Sequence, residues 1–390
     1  MRPSLIGDTV LPRTYIDIHI LQTVPPSNLN RDDAGSPKQA MYGGARRARV
    51  SSQAWKRAAR TAFAEQVPAE QLATRTKKIA ALLSASLSQR TGIDVETSTR
   101  IATRMLAPLE IKVGKKAGDT AYLLFFGRPQ LERLVDLAVD QVDHLAGLGD
   151  AALTEALKDL PVKETLGSGH PIDVALFGRM VADIPGLNVD AATQVAHALS
   201  THPVEIEFDY YTAVDDESPA DEQGAAMIGT VEFNSATLYR FATVGVHQLL
   251  ENLGGDVDDT LGALETFLTA FVRSMPTGHQ NTFAHRTVPS LVSVALRDDQ
   301  PVNLVSAFES PVRANHGVAG KSAIRLAEEM GRVTDLWGLA PLQVFSTYAT
   351  PDDDSEAAAM REALGSPRPF AEVVTAVISA SRERLVAEPV

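Results

Sequence analysis

Alternating hydrophobic positions near the N-terminus predict the first strand. Within residues 14–22, Ile16, Ile18 and Ile20 fall on every second position, which is the pattern of a half-buried strand. Residues 25–28 (PPSN) predict that this strand ends in a loop. A long polar loop rich in glycine is expected to follow, up to about residue 50.

A 3.6-residue periodicity then predicts an amphipathic helix from about residue 51 to Phe63. Ser51 and Ser52 are suitable N-cap residues. Lys56 and Arg60 are four residues apart and share one face, with Arg57 beside them. The opposite face, which is expected to pack on the core, consists of Trp55, Ala59, Ala62 and Phe63.

The rest of the pattern predicts an α+β core that is interrupted by a large helical insertion. Residues 64–200 look mostly helical, in segments 69–90, 96–108, 128–146, 151–159 and 189–200. Strands are expected at 203–214, 229–246, 290–297 and 342–348, and helices at 257–274 and 320–337. Polar loops are expected at 112–119 and 215–224.

Composition narrows the class of protein. With 390 residues, 44% of them hydrophobic and 22% charged, the chain has the make-up of a soluble globular protein with several domain-sized units. The absence of cysteine excludes disulfides, thiolate metal sites and a cysteine nucleophile. We found neither a signal-peptide pattern nor a membrane-spanning run, so a cytoplasmic protein without a membrane partner is expected.

Charge is distributed unevenly along an acidic chain. The formal net charge is −13, but residues 31–60 contain eight basic and two acidic residues, which makes this segment +6 and the remainder −19. A basic patch on an acidic body can bind phosphates while the body resists nonspecific binding. The free N–H groups at the predicted helix start would add to this attraction. A solvated amphipathic helix after a basic loop remains an equally good interpretation of the same residues.

Two acidic clusters have simple structural explanations as well as functional ones. Residues 203–222 contain eight acidic and no basic residues around Tyr210 and Tyr211. This predicted hairpin either docks on a basic surface of another copy, presenting an aromatic ring to a base, or serves as a solubilising loop, which the sequence alone favours. The aspartates at 32–33 and 215–216 permit a two-metal nuclease site, but loop-capping aspartates explain them better.

Several segments resemble the CasC-type backbone subunit of the type I-E CRISPR surveillance complex, Cascade. They cover roughly a third of the chain, in the order found in that family. The matching segments are 26–33 (PSNLNRDD), 42–57 (YGGARRARVSSQAWKR), 172–180 (IDVALFGRM), 211–216 (YTAVDD), 232–235 (EFNS) and 251–255 (ENLGG).

The resemblance implies a hand-like fold without catalytic residues, cofactor or metal. A ferredoxin-like (RRM-like) palm would comprise residues 12–63, 201–208 and 229–345. Helical fingers would comprise 64–200, a β-hairpin thumb 203–232, and a C-terminal helical segment 346–390. Copies of such a subunit stack head to tail along the spacer part of the CRISPR RNA.

The resemblance also assigns candidate contacts residue by residue. Guide-RNA contacts are expected at Arg31, Lys38, Arg46, Ser51, Gln53, Lys56, Arg57, Arg60, Met180 and Tyr211. Contacts between subunits through the thumb are expected at Tyr210, Thr212, Val214 and Asp215. Lys112, Lys115 and Lys116 are candidates for contact with target DNA.

The partners implied are guide RNA, further copies of the chain, target DNA and a recruited helicase-nuclease. The large, small, guide-capping and repeat-processing Cascade subunits complete the set. Two other functions remain open at this stage. One is a metal-dependent target-RNA ribonuclease subunit of the kind found in type III complexes, with Asp32 or Asp33 in the active loop. The other is a general single-strand-binding protein.

Overall fold

The computed structural model describes residues 5–6, 9–10, 13–63, 65–109, 119–120, 123–181, 184–214, 225–313 and 317–386. Its strands are β1 (Leu5–Ile6), β2 (Thr9–Val10), β3 (Tyr15–Ser27), β4 (Gln39–Tyr42), β5 (Ala45–Val50), β6 (Ala73–Thr76), β7 (Leu124–Gly127), β8 (Thr193–Val195), β9 (Ala198–Ser200), β10 (Glu207–Val214), β11 (Ala225–Gly245), β12 (Leu291–Arg297) and β13 (Gln343–Tyr348).

The α-helices of the same residues surround a central sheet. They are α1 (Ser52–Phe63), α2 (Ile79–Thr91), α3 (Val95–Met105), α4 (Arg128–Val139), α5 (Val142–Gly147), α6 (Asp150–Leu157), α7 (Val162–Gly167), α8 (Ile172–Phe177), α9 (Val246–Asn252), α10 (Val257–Arg273), α11 (Gln280–Phe283), α12 (Ala319–Trp337), α13 (Asp354–Leu364) and α14 (Phe370–Val386). Short 3₁₀ helices occupy Ala69–Gln71, Ala107–Leu109, Pro185–Leu187 and Leu304–Phe308.

The predicted α+β class is confirmed by an antiparallel sheet flanked by helices. The strand order across the sheet is β13-β12-β3-β11-β9-β5-β4. Helix α1 lies in the chain between β3 and β9, and α10 lies between β11 and β12. The four central strands therefore run in the order β12-β3-β11-β9, connected as a β-α-β-β-α-β unit once the insertion between α1 and β9 is set aside.

Both faces of the central strands β3 and β12 are largely buried. The alternating residues Ile16, Ile18 and Ile20 belong to a core shared with α1, α10 and α14. The intervening side of the strands packs in a second core with α12 and α13, to which Leu21 and Tyr239 belong. All seven residues of β12 are buried. Helices therefore occupy the surfaces on which a half-open sheet could have bound a ligand.

The insertion between α1 and β8 has its own hydrophobic core. Buried residues of α2–α7 and β7 form a cluster that is separate from the two sheet cores. Helices α2 and α3 pack together, and α4 packs on α2. The strands β6 and β7 form a small antiparallel pair at its boundary. A mostly helical insertion is thus observed, although these two strands were not predicted.

The predicted helix at 189–200 is wrong, because this segment forms β8 and β9. Leu199 pairs with Tyr239 on one side and with Arg49 on the other, so β9 lies between β11 and β5. Alanine-rich composition favours a helix locally, but pairing with a neighbouring strand overrides that weak preference.

The predicted end of the first strand at residue 25 is also wrong, since β3 continues to Ser27. Val24 pairs with Ala236 and Ser27 pairs with Asn234, so two prolines face a single residue of β11. This is a β-bulge, one of the few places where a strand accommodates proline. The expected loop up to residue 50 likewise contains the hairpin β4–β5.

Most other predicted elements are observed within a few residues, as α1, α10, α12, β12 and β13 illustrate. The strand predicted at 203–214 starts only at Glu207, and the one at 229–246 starts earlier, at Ala225. Residues 112–118 of the loop predicted at 112–119, and the whole loop predicted at 215–224, lie outside the described residues. In the part of the chain that the structure describes, no helix combines the length and apolarity required to cross a bilayer.

Candidate nucleic-acid interface

The start of α1 is held by a network of local hydrogen bonds. The Ser51 side chain accepts a hydrogen bond from the Ala54 N–H at 3.3 Å, as expected of an N-cap. The Ser51 N–H donates to the side-chain oxygen of Asn30 at 2.9 Å, and the Lys38 N–H donates to the Asn30 carbonyl at 2.9 Å. The basic loop, by which we mean residues 31–50, and the start of α1 are therefore held together as one unit. Ser51 itself is buried, so its role in this unit is structural.

The apolar face of α1 packs on the sheet as predicted. Trp55, Ala59 and Phe63 are buried, and Ala62 packs against the same core. The Trp55 ring lies under the guanidinium group of Arg240, with 3.8 Å between the guanidinium carbon and the ring centroid. This contact fixes the rotation of α1 about its axis and so determines which residues face outward.

The outward face of α1 carries one polar and three basic side chains at helical spacing. Gln53 and Arg57 are exposed, while Lys56 and Arg60 are half-buried. Partial burial lowers the pKa of Lys56. The pKa of Arg60 is lowered by burial first and then by the nearby charge of Arg75. Among the described residues neither Lys56 nor Arg57 forms an ion pair, so their charges are available to an anion.

The basic loop brings further cations to the same end of the helix. Arg31 and Arg46 are exposed, and Lys38 is half-buried. Arg46 donates to the Gln39 side chain at 2.9 Å. Burial, followed by the charges of Arg49 and Lys38, lowers the pKa of His197. Arg49 lies 3.3 Å from the His197 ring through its Nη1 atom, so it adds a further cation to this edge.

Arg47 does not belong to this basic surface, although the sequence places it there. Its side chain is fully buried and its guanidinium group donates hydrogen bonds to four backbone carbonyls. The acceptors are the carbonyls of Tyr42, Ser200, Phe308 and Glu309. Arg47 therefore joins the β4–β5 hairpin to β9 and to the end of the 3₁₀ helix Leu304–Phe308 instead of facing solvent.

Arg60 connects the helix to the inserted helical unit. Its Nε atom lies 3.7 Å from the buried carboxylate of Asp173. Its guanidinium carbon lies 5.3 Å from the centroid of the Phe125 ring, and that of Arg75 lies 4.6 Å from the same centroid. Phe125 is thus positioned between two cations at the boundary of the two units.

Met180 projects into a groove at this boundary. The groove measures about 690 Å³ and is lined by Phe125, Phe177 and Arg75 together with Met180, and the Met180 side chain is 86% exposed. Gly178 adopts a left-handed conformation in which a Cβ would lie 2.7 Å from the Val189 carbonyl.

The buried Arg179 holds the backbone next to Met180. It donates to the carbonyls of Leu187, Phe125 and Leu166 at 2.7–3.3 Å. The Phe-Gly-Arg-Met sequence therefore directs Met180 outward, because glycine makes the turn and arginine anchors it.

The predicted acidic hairpin is formed by β10 and the first part of β11. Tyr210 and Tyr211 are 63% and 41% exposed, and Tyr211 pairs with Gly229 across the hairpin. Thr212 and Val214 lie on β10, but their side chains are outside the described residues. Asp215, Lys112, Lys115 and Lys116 are also outside them.

The alternative of a metal-dependent nuclease receives little support from the loop aspartates. The Asp32 carboxylate accepts hydrogen bonds from the N–H groups of Ala34 and Ser36 at 2.9 and 3.0 Å, which is a turn-forming role. Asp33 is exposed. Within the described ranges, which omit 215–224, no three acidic or histidine side chains converge as metal ligands would.

Comparison with known protein families identifies the family to which the chain belongs. Residues 16–376 match the model of the family of CT1975-like proteins, Cas_CT1975. The chain belongs to the CT1975-like protein family. No curated protein matches the sequence of this family member.

Two solved structures similar to this CT1975-like protein are of CRISPR RNA-guided surveillance complexes. One chain, from a structure described as "CRISPR RNA-guided surveillance complex, pre-nicking", is 31% identical and has a TM-score of 0.80. The match covers 94% of this chain and all of that one. A second, from a "CRISPR RNA-guided surveillance complex", is 28% identical with a TM-score of 0.70, covering 94% and 99% of the two chains.

Some residues of the interface were missed in the sequence analysis. Arg75 and Phe125 lie on a strand pair that periodicity did not reveal, far from the basic cluster in sequence. His197 lies in the segment predicted as helix. Arg49 lies two positions after Arg47 on β5, the spacing at which strand residues share a face, so alternation gave no signal that Arg49 is more accessible than the buried Arg47.

Proposed function

We propose that this protein is a guide-RNA-holding subunit of a CRISPR RNA-guided surveillance complex, specifically a backbone subunit of the type I-E class. The observation that carries the proposal is the outward face of α1, where Lys56 and Arg57 lack an ion-pair partner among the described residues beside a preformed helix start. The likeness to chains of surveillance complexes along almost the whole length supports it.

We assign a ferredoxin-like palm to the central strands with α1 and α10. Their order, β12-β3-β11-β9, supports this assignment. The inserted helical unit at 64–200 would be the fingers, and the hairpin within 203–232 the thumb. Because helices cover both faces of the sheet, the guide would cross the edge at the start of α1 and not the sheet surface, unlike in a typical RRM.

The chemistry of this edge suits a guide of arbitrary sequence. Arginine and lysine contacts to phosphates provide affinity without reading bases. Base edges then stay available for pairing with target DNA. Met180 in its groove and Tyr211 on the hairpin would separate or displace bases of the guide at regular intervals. Cations would hold the RNA backbone between the displaced bases.

Assembly would proceed head to tail. An acidic hairpin on one copy facing a basic edge on the next is a heterologous contact, which produces filaments and not closed dimers. The other Cascade subunits, target DNA and a recruited helicase-nuclease are the partners that such a filament would have. We assign the chain no catalytic step, cofactor or metal, in keeping with the turn-forming role of Asp32.

Replacing Lys56 and Arg57 by glutamate tests the proposal directly. We expect guide RNA to bind more weakly at every spacer sequence alike. Removing one phosphate contact should reduce the slope of log affinity against log salt by about 0.7. Arg361→Glu is the matched control, since Arg361 is exposed on α13, on the opposite face of the sheet.

The RNA that co-purifies with the protein separates the alternatives. A single length with repeat-derived ends supports the proposal, whereas heterogeneous fragments indicate a general single-strand-binding protein. If the assembled complex cut complementary RNA at regular intervals with magnesium, and Asp33→Ala abolished the cuts, the ribonuclease alternative would replace it.

A further inference from the structure

A loop that follows α10 lies against the basic loop. This segment, residues 276–286, is closed at its base by a hydrogen bond of 3.1 Å between His285 Nε2 and the Pro276 carbonyl. Beyond its end, the Gln22 side chain donates to the Thr287 carbonyl at 2.9 Å. The Thr287 hydroxyl donates to the Thr23 carbonyl at 2.8 Å. The segment is therefore anchored to Gln22 and Thr23 of β3, a few residues before the basic loop begins at Arg31.

Gly278 locks the segment onto the chain leading to Arg31. A Cβ atom at this position would lie 2.5 Å from the carbonyl oxygens of Asn28 and of Leu29. Only glycine permits this approach, because real Cβ contacts are never so short. The two loops are thus packed backbone to backbone.

His279 contacts Arg31 across this junction. Arg31 Nη1 lies 3.1 Å from His279 Nε2. A guanidinium group only donates hydrogen bonds, so Nε2 must accept and the imidazole proton must reside on Nδ1. Among the described residues no carboxylate pairs with Arg31. A neutral acceptor therefore orients this cation and leaves its charge uncompensated.

The surrounding sequence is free of negative charge. Residues 266–297 contain no aspartate or glutamate, in a chain with 49 acidic residues and a net charge of −13. Apart from Ala284, the exposed side chains of the loop are two amides, two hydroxyls and a cation, namely those of Thr277, Gln280, Asn281, Thr282 and Arg286. Such groups donate hydrogen bonds to phosphate and ribose oxygens.

We propose that the 276–286 segment is a second contact surface for the ribose-phosphate backbone of the guide RNA, in which His279 positions Arg31 and the side chains of Gln280 and Asn281 donate to backbone oxygens. This inference rests on the proposed function and adds a binding element outside the motifs of the basic loop and α1.

The location of the segment fits a continuous path for the strand. Phe283 lies 5.8 Å from Phe233, ring centroid to ring centroid, at the base of the β10–β11 hairpin. The Asn28 side chain also donates to the Glu232 carbonyl at 3.0 Å. The segment therefore links the basic loop to the hairpin that carries Tyr211. A guide RNA whose backbone is held at the loop and at the hairpin would run past this segment.

The decisive experiment measures guide-RNA affinity and its salt dependence for Gln280→Ala/Asn281→Ala, with Gln343→Ala on the exposed edge of β13 as the matched control. We expect the double variant to raise Kd about tenfold, as for the loss of one hydrogen bond to a charged group, and the control to leave Kd unchanged. Both altered side chains are exposed, so folding should be unaffected.

Substitutions of His279 test the positioning role. His279→Gly keeps the left-handed backbone of this residue (φ 49°) without strain but removes the acceptor, and it should raise Kd about fivefold, on the order of one weakened charge-assisted contact. His279→Gln restores an acceptor and should recover most of the affinity. A merely structural histidine would show the opposite order, with Gly tolerated and Gln not.

Measuring Lys56→Glu/Arg57→Glu in parallel separates a failure of this inference from a failure of the proposed function. If that variant binds guide RNA weakly while the Gln280/Asn281 variant and His279→Gly both bind like the parent protein, the inference about this segment is wrong and the proposed function stands. If none of the variants changes affinity, the proposed function fails as well.

Discussion

Arg60 and Asp173 form an ion pair in which one partner is accessible and the other is not. Their Nε and Oδ2 atoms are 3.7 Å apart, and the side chains are 31% and 1% exposed respectively. Asp173 also accepts a hydrogen bond from the Ala73 N–H at 3.0 Å, at the start of β6. One buried carboxylate on α8 thus connects α1 to the start of β6 in the inserted helical unit.

We expect Asp173 to make stability depend on pH between about 4 and 6. Burial raises the pKa of Asp173 to about 6, against the lowering effects of Ala73 and Arg60. In that interval the folded state binds more protons than the unfolded state, so the free energy of unfolding falls as pH rises, by roughly 3 kcal/mol in total. Asp173→Asn keeps the acceptor for Ala73 and should lose this dependence.

Urea unfolding of the parent protein and Asp173→Asn from pH 4 to pH 7 checks this expectation. Asp17, whose pKa burial also raises to about 6, titrates in both proteins and cancels in the difference. The difference, parent minus variant, should be most positive near pH 4 and decline towards pH 7. Parallel curves would mean that Asp173 titrates normally in the folded protein.

Arg46 and Arg47 are adjacent in sequence, but replacing them should affect different properties. Replacement of Arg47 should affect folding stability, and replacement of Arg46 should affect RNA binding. Arg47→Ala leaves buried carbonyls without a donor and should lower the free energy of unfolding by about 3 kcal/mol. Arg46→Ala should change it by less than about 0.5 kcal/mol yet weaken guide binding and its salt dependence. Chemical unfolding and RNA titration of both variants provide the check. Weaker RNA binding by folded Arg47→Ala alone would contradict this division.

Periodicity predicted those parts of the fold in which the local pattern and the tertiary environment agree. The alternating isoleucines of β3 and the amphipathic face of α1 are examples, since burial follows the same period as hydrophobicity. The segment around Leu199 is the counterexample. Its alanines favour a helix, but its backbone groups pair with both Tyr239 and Arg49, and no local signal encodes two partners that are distant in the chain.

The candidate site can be divided in the same way, into residues grouped by local spacing and residues brought together only by folding. Lys56, Arg57 and Arg60 could be placed together on the outward side of α1 because helical spacing alone determines it, whereas Gln53 was assigned by resemblance. Arg47 could not be separated from Arg46, since its acceptors come from three other parts of the chain. His279 is almost 250 positions from Arg31, and only folding brings the two together.

Arg240 should be required for stability although it lacks an acidic partner among the described residues. Its guanidinium carbon lies 4.7 Å from the Phe271 ring centroid in addition to the contact with Trp55, and it donates to the Gln22 side chain and to the Phe271 carbonyl in the last turn of α10. A cation is favourable at a helix C-terminus. Aromatic faces stabilise it further.

We expect Arg240→Ala to lower the free energy of unfolding by about 4 kcal/mol, because it creates a cavity and leaves buried acceptors unpaired. Arg240→Met fills most of the volume and should lower it by about 2 kcal/mol, the cost of the unpaired acceptors. Denaturant titration measures both. A decrease below about 1 kcal/mol for the alanine variant would show that the buried guanidinium group makes no net contribution.

Gly229 should control the position of Tyr211 and, under the proposed function, the assembly of copies along the guide. The two residues face each other across the β10–β11 hairpin, and a Cβ atom at Gly229 would lie 2.4 Å from the Tyr211 hydroxyl oxygen. The ring therefore lies across the glycine. Gly229→Val should displace it while leaving the hydrophobic cores intact, since the hairpin belongs to none of them.

We expect Gly229→Val and Tyr211→Ala to reduce the number of copies bound per guide RNA to a similar extent, as measured by native mass spectrometry. The double variant should be no worse than either single variant, because both changes remove the same contact and residues in contact do not act additively. Thr230→Val, one position along the same strand and exposed, should assemble normally. Additive effects would instead mean that Gly229 acts through the backbone of the hairpin and not through the tyrosine ring.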